Sequence, residues 1–231
     1  MRRNILNVLY IDNHILAVNK PPGIPVQGDI SGDPSLFAQA KTFIKQKYKK
    51  PGNVYLALIH RIDRPASGVV LFARTSKAAG RLSEQLRENT MKKIYTAIVD
   101  GCIDLKGEYR DYIVRKAVNS YISQSGIHGK YSTLTFSRQS IFKNQSLVKI
   151  YLKTGRHHQI RVQFSHRGHP IIGDFRYGSK RKFPGKALAL HAKTIQFQHP
   201  TLKKETIISA EFPMNWNQYM NTGEPNWTQY L

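Results

Sequence analysis

The segment at residues 60–68 reads HRIDRPASG and places one acid, Asp63, between Arg61 and Arg64. Nearby positive charge favours the ionised form of a carboxyl group. An ionised aspartate in a rigid loop can act as a nucleophile, whereas it is a poor proton donor. A proline and a glycine restrict this turn, and apolar segments flank it on both sides, which is typical of a functional site. The alternative for such an acid is an ordinary loop salt bridge.

The neighbouring segments predict the elements that hold this loop. VYLALIH, which ends at His60, alternates in the manner of a strand, and the apolar run GVVLFA after the loop predicts a strand buried on both faces. Residues 35–48 predict a helix with Ser35 as its N-cap, and residues 76–89 predict a second helix. KKIYTAIVDG, at residues 92–101, then predicts another strand.

The remaining segments define the fold class. NVLYIDNHILAVNK predicts two strands around a turn, residues 107–140 predict short strands with loose connections, and SLVKIYLKTG predicts a further strand. HHQIRVQFSHRG predicts a helix that ends at Gly168. Many strands, few helices and no regular alternation favour an α+β fold with a mixed, mainly antiparallel central sheet and flanking helices. No linker divides the chain, so a single domain over residues 1–231 is expected.

The charge of the chain indicates a polyanionic partner. Lysine and arginine number 36 against 14 acidic residues, which gives a net charge of +22. Such an excess indicates nucleic acid, because no amphipathic segment combines a basic face with a broad apolar face for a membrane surface. No apolar run has the length of a membrane span or of a secretion signal, and Cys102 is the only cysteine. We expect a cytosolic protein with no membrane contact.

Histidines raise the alternative of a metal-dependent nuclease or hydrolase. The candidate ligands are His157, His158, His166, His169, His191 and His199. Their spacings match no recognised zinc set, and no acidic cluster supplies oxygen ligands for magnesium. We therefore expect neither a metal nor a small-molecule cofactor.

Four motifs, which occur in order, resemble those of the RluA-type pseudouridine synthases. They are the HRIDRPASGVVLFART segment, KKIYTAIVDG, TGRHHQIRVQFSHRGHPIIGDFRYG and LALHAKTIQFQHP, preceded by an opening segment LYIDNHILAVNKPPGIPV. The resemblance runs from about residue 8 to residue 213 and leaves residues 214–231 as a C-terminal tail. It implies the pseudouridine synthase fold with a catalytic cleft, as a stand-alone catalytic domain without an N-terminal S4 domain.

The resemblance implies three catalytic residues. Asp63 is the expected nucleophile of uridine isomerisation, and Tyr95 is expected to stack on the target base and is a candidate for removing a proton late in the reaction. Arg161 is expected to pair with Asp63 and to hold it ionised and oriented. Considered alone, Tyr95 would be an ordinary sheet residue and Arg161 a solvated helix arginine. Only their occurrence together with Asp63 supports these roles.

Five further residues are expected to contact the substrate. They are Arg61, Arg64, Arg156, His157 and Leu190. Among them, Arg61 resembles the arginine that holds RNA open where the base has left the stack, and Leu190 is expected to pack against the uracil. Two positions depart from the usual family pattern: Ala66 replaces a threonine, and His157 replaces the threonine of GRTHQ. Both departures bear on specificity more than on activity.

The function expected from these residues is isomerisation of specific uridines in ribosomal or transfer RNA by a monomeric enzyme. The alternative is a non-catalytic RNA-binding or ribosome-assembly protein that retains the fold. A short echo near the C-terminus, NWNQYM and NWTQYL, predicts two helical turns whose aromatic side chains pack on the core.

Overall fold

The computed structural model describes residues 6–28 and 32–221. The strands are β1 (Val8–Ile11), β2 (Ile15–Lys20), β3 (Ala57–Leu58), β4 (Ser67–Ala73), β5 (Lys92–Asp100), β6 (Lys106–Lys116), β7 (Asn119–Ser123), β8 (Lys130–Phe142), β9 (Gln145–Leu152), β10 (Leu190–Gln198) and β11 (Glu205–Ser209). The helices are α1 (Leu36–Lys47), α2 (Ser76–Arg87), α3 (Gln159–His166) and α4 (Met214–Asn221), with a 3-10 turn at Phe175–Tyr177. This is the expected α+β class. No helix in the described ranges is long and apolar enough to cross a membrane.

The chain forms two compact units. Unit 1 comprises Met1–Met91 and Ala192–Glu211, and unit 2 comprises Lys92–His191 and Phe212–Leu231. The single domain expected from the sequence stays a prediction.

Unit 1 is built around β4, whose seven residues are all buried. β2 pairs antiparallel with β1 and with β4, and β11 pairs antiparallel with β10. β3 pairs with only the last two residues of β4, since β10 is also a neighbour of β4. Buried apolar side chains of these strands and of α2 form one core cluster, which includes Ile15, Leu71 and Leu82.

Unit 2 contains the antiparallel order β5-β9-β8-β6-β7. Helix α3 packs on one face of this sheet, where the ring of Phe164 lies 5.0 Å from that of Tyr109 and 5.6 Å from that of Phe136. In the same unit, α4 buries Trp216 completely against Phe183 and neighbouring aromatic rings.

The helices follow the prediction because their caps are encoded locally. The Ser35 hydroxyl accepts a hydrogen bond from Ala38 N at 3.2 Å, and Thr75 caps α2 in the same way. The first half of the C-terminal echo falls in α4, and Trp216 packs as predicted; the second half lies outside the described residues.

Two predictions about strands are wrong in length. β3 has only two residues, because β10 also lies along β4. The short strands expected within residues 107–140 are instead β6 and β8, of 11 and 13 residues, with β7 between them. β6 and β8 pair over eight residue pairs, and this hydrogen-bonded ladder stabilises long strands even though the hydrophobic pattern of their sequences is weak.

Candidate active site

Asp63 lies half-buried in the connection between β3 and β4. The turn after it is closed by a hydrogen bond from Ala66 N to Asp63 O at 3.1 Å. A second segment of the chain holds the same loop: Gly23 N donates to Arg64 O at 2.8 Å, and Arg64 Nε donates to Gly23 O at 2.9 Å. The carboxylate is therefore carried by a backbone that is fixed on two sides.

Lys20, at the end of β2, completes this support and is a residue that sequence reasoning missed. Its side chain is fully buried, and Nζ donates to Pro21 O at 3.0 Å, Ile24 O at 2.9 Å and Arg64 O at 3.0 Å. Three carbonyl acceptors match the three N–H bonds of an ammonium group. Burial lowers the pKa of Lys20 to about 7, and the negative charge of Asp63 opposes that shift. Lys20 thus ties the opening segment to the Asp63 loop, and in its protonated form it brings a positive charge near the acid.

The residues that follow Asp63 have little freedom to change. Gly68 has φ +116°, and a Cβ atom there would lie 2.3 Å from Ala192 O, so only glycine allows β4 to approach β10 this closely. Ala66 is 1% exposed, so its methyl group is packed where the family usually has a threonine. The Ala66 departure therefore supports the loop by packing.

The two arginines beside Asp63 differ in their surroundings. The Arg64 guanidinium forms an ion pair with Asp33 and is 41% exposed. Arg61 is exposed. The Arg64 side chain is bound to Asp33 and to Gly23 O and so helps to hold the loop, whereas the Arg61 side chain is exposed.

We expect Lys20→Met to lower the free energy of unfolding by about 3 kcal/mol at pH 7, because three buried carbonyls lose their donor. Between pH 7 and 9 the unfolded chain keeps a proton on Lys20 that the folded chain releases. Wild-type stability should therefore gain about 2 kcal/mol relative to the variant over that range. Denaturant titrations at both pH values measure this, with exposed Lys77→Met as the matched control. A stability difference between the wild type and Lys20→Met that is the same at both pH values would contradict the lowered pKa of Lys20.

Tyr95 lies in β5 opposite Ile150 of β9, on the sheet face that α3 covers, and is 7% exposed. Lys93 precedes it by two residues on the same strand, so both side chains point to the same face. Burial lowers the pKa of Lys93 below its usual value, and the charge of Arg156 adds to this effect. The aromatic ring is therefore held on a rigid strand with the Lys93 side chain on the same face.

Arg161, on α3, is buried in a bidentate ion pair. Its Nε donates to one Asp174 carboxylate oxygen at 2.7 Å and its Nη2 donates to the other at 2.8 Å. The guanidinium also lies over the Tyr177 ring, 4.9 Å from the centroid. Asp174 was not singled out from the sequence, although it lies in GDFRYG, the last six residues of the longest motif. This arrangement fixes the direction of the arginine, and its predicted pairing with Asp63 stays a prediction.

His157 and His158 form a stacked pair, with ring centroids 3.7 Å apart, directly before α3. His157 Nδ1 lies 2.9 Å from Ser120 Oγ, and His158 Nδ1 lies 2.8 Å from the Tyr177 hydroxyl. Burial lowers the pKa of His158 to about 2, and the charge of Arg161 acts in the same direction. His158 is therefore neutral at any working pH and serves to position Tyr177 below Arg161.

The remaining predicted contacts lie at the ends of elements in unit 2. Arg156 is exposed, and its Nε donates to Tyr131 O at 2.9 Å. Leu190 begins β10 and is 4% exposed. The structure thus brings Lys20 close to the Asp63 loop in unit 1, and it joins Arg161, Asp174, Tyr177 and the histidine pair in unit 2. No group of three or more metal-binding side chains occurs within residues 6–28 and 32–221.

Comparisons with known proteins identify the family. A profile described as RNA pseudouridylate synthase matches residues 14–166. The chain is 35% identical to the ribosomal large subunit pseudouridine synthase C of Buchnera aphidicola over 95% of this chain and 71% of the relative. It is 34% identical to the tRNA pseudouridine synthase C of Haemophilus ducreyi, over 94% of this chain and 95% of the relative.

A solved structure, human RNA Pseudouridylate Synthase Domain Containing 4, shares the fold with a TM-score of 0.77 and 21% identity, over 95% of each chain. Together with the family profile and the two relatives, it assigns the α+β arrangement described above to the pseudouridine synthase fold. The chain belongs to the RNA pseudouridylate synthase family.

Proposed function

We propose that this chain isomerises specific uridines of ribosomal or transfer RNA to pseudouridine, with Asp63 as the nucleophile. The fixed loop around Asp63 is the observation that carries the proposal. Two hydrogen bonds between Arg64 and Gly23 and one from Ala66 N to Asp63 O hold it, and Lys20 adds a fourth contact at Arg64 O. Support for the substrate comes from the net charge of +22 and from the names of two relatives, one a ribosomal RNA enzyme and one a tRNA enzyme.

The reaction sets the demands on these residues. The bond between N1 of uracil and C1′ of the ribose breaks, the base turns, and a bond forms between C5 and C1′. C5 loses its proton and N1 gains one, so the product is an isomer of the substrate. In the proposal the Asp63 carboxylate reacts with the nucleotide, the Tyr95 ring retains the detached base, and Leu190 packs against it. Arg161, held by Asp174, supplies a positive charge for the ionised acid.

Binding residues act on the RNA around the target. We assign Arg61, Arg64, Arg156 and His157 to the substrate, with Arg61 filling the space that the flipped nucleotide leaves. The protein is proposed to work as a cytosolic monomer that needs no cofactor.

Purified protein incubated with total RNA from cells that lack the gene tests the substrate. The RNA is then separated into ribosomal and transfer fractions, and pseudouridine is quantified by mass spectrometry in each. New pseudouridine in either fraction supports the proposal and identifies the class. No gain in any fraction, together with tight RNA binding, would favour the non-catalytic RNA-binding protein.

We expect Tyr95→Phe to keep RNA affinity while lowering the single-turnover rate by about 100-fold, because the ring can still stack but the hydroxyl can no longer move a proton. Release of tritium from RNA labelled at uridine C5 measures the rate. Tyr55→Phe, at a tyrosine that is 50% exposed, is the matched control. A rate equal to that of the wild type would show that the tyrosine is only a platform for the base.

A further inference from the structure

The sheet of unit 2 has a second face, opposite to the one that carries Tyr95. Tyr95 pairs with Ile150, which pairs with Phe136 on the face that α3 covers. Side chains alternate between faces along a strand, so Tyr151 points the other way. Directly opposite residues share a face, which places the partner of Tyr151 in β8, Thr135, on this second face as well.

Four exposed tyrosines lie on this second face. They are Tyr112 of β6, Tyr121 of β7, Tyr131 of β8 and Tyr151 of β9, with exposures of 45%, 50%, 44% and 40%. Tyr112 is directly opposite Tyr131, and their ring centroids are 5.7 Å apart. Tyr121 is opposite Val114, which follows Tyr112 on the same face. We call this surface the tyrosine face.

Positive charge surrounds the tyrosine face. The basic side chains that share it are Lys106, Arg110, Lys116, Lys149 and Lys153. The Lys149 ammonium lies 5.5 Å from the centroid of the Tyr151 ring. Glu108 is the single acid on this face of β6–β9, and it is shared between Arg110 and Lys153. An aromatic surface with such a charge is complementary to a polyanion that carries flat apolar groups.

We propose that the tyrosine face binds single-stranded RNA, with bases stacked on the tyrosines and phosphates bound by the surrounding lysines. Bases stack on any aromatic face, so this contact tolerates any sequence, and the lysines bind the backbone. The proposal rests on the proposed function only in taking RNA as the partner. Because the face is opposite to Tyr95, it holds a stretch of RNA other than the nucleotide that reacts.

Binding of a fluorescent oligoadenylate of about 12 nucleotides tests the proposal, since this probe contains no uridine. Tyr121→Leu, Tyr131→Leu and Tyr151→Leu should each weaken the Kd by about fivefold or more, whereas the Phe variants at the same positions should keep it. Tyr112 is left unchanged because the segment at Gly126 and Gly129 packs against it. Tyr55→Leu, at an exposed tyrosine of unit 1, is the control.

A second set of variants, at lysines, separates base stacking from phosphate binding. The Lys116→Gln/Lys153→Gln double variant should make the slope of log K against log salt shallower by about 1.4, because two phosphate contacts are lost. Lys203→Gln/Lys204→Gln, at two exposed lysines of unit 1, should leave the slope unchanged.

Unchanged oligoadenylate affinity in all three Leu variants would overturn the proposal. This holds even if the same variants change self-association of the protein or its binding to another protein. The same Leu variants should isomerise saturating substrate RNA at the wild-type single-turnover rate. If the wild-type protein forms no pseudouridine but the Leu variants lose oligoadenylate binding, the proposed function fails and this proposal stands.

Discussion

Asp63→Asn is expected to reduce the single-turnover rate of pseudouridine formation by about 10³-fold or more, because an amide cannot act as the carboxylate nucleophile. RNA affinity should stay within about twofold of the wild type, since most of the binding free energy comes from contacts with the phosphates. Tritium release from C5-labelled RNA measures the rate, and fluorescence anisotropy measures the affinity.

Asp104→Asn is the matched control for Asp63, because Asp104 is an exposed acid outside the loop and the same change removes one negative charge. Its rate should equal that of the wild type. Full activity of Asp63→Asn, at a substrate concentration that saturates both proteins, would contradict the nucleophile assignment.

Asp174→Asn is expected to lower the free energy of unfolding by about 3–5 kcal/mol, because the buried guanidinium of Arg161 loses its carboxylate partner. The rate should fall as well, since Arg161 loses the two hydrogen bonds that fix its direction. Chemical denaturation measures the stability, and single-turnover assays at a temperature where the variant is folded measure the rate.

The ion pair between Arg181 and Asp100 offers a comparison within unit 2. Its partners are 42% and 29% exposed, so Asp100→Asn should cost no more than about 1 kcal/mol. Equal losses of stability in the two variants would show that burial of the Arg161–Asp174 pair has no special effect.

Local signals explain which parts of the fold could be predicted. Helices α1 and α2 begin next to Ser35 and Thr75, whose hydroxyls cap them, and β4 is an unbroken apolar run. The lengths of β6 and β8 could not be predicted, because each strand is extended by its pairing with the other and the paired residues are far apart in the sequence. The extent of β3 depends in the same way on β10, which lies more than a hundred residues later in the chain.

The same distinction, between local signals and contacts of distant segments, applies to the residues of the candidate site. Asp63 is singled out by its charge and its turn, and Tyr95 and Arg161 by family motifs; their catalytic roles stay predictions. Lys20 was missed because a lysine at the end of an apolar strand is read as an exposed residue, and only the folded chain brings Arg64 O to its ammonium group. The one available signal was its position directly before two prolines in an otherwise buried strand.

The most direct test of the central claim is a complementation experiment in cells that lack the gene. Pseudouridines are mapped across all cellular RNA after expression of the wild type or of Asp63→Asn at equal protein levels. The account predicts that the sites missing from the deletion strain return with the wild type and stay unmodified with Asp63→Asn. Restoration of the same sites by Asp63→Asn, or no missing site in the deletion strain, would contradict it.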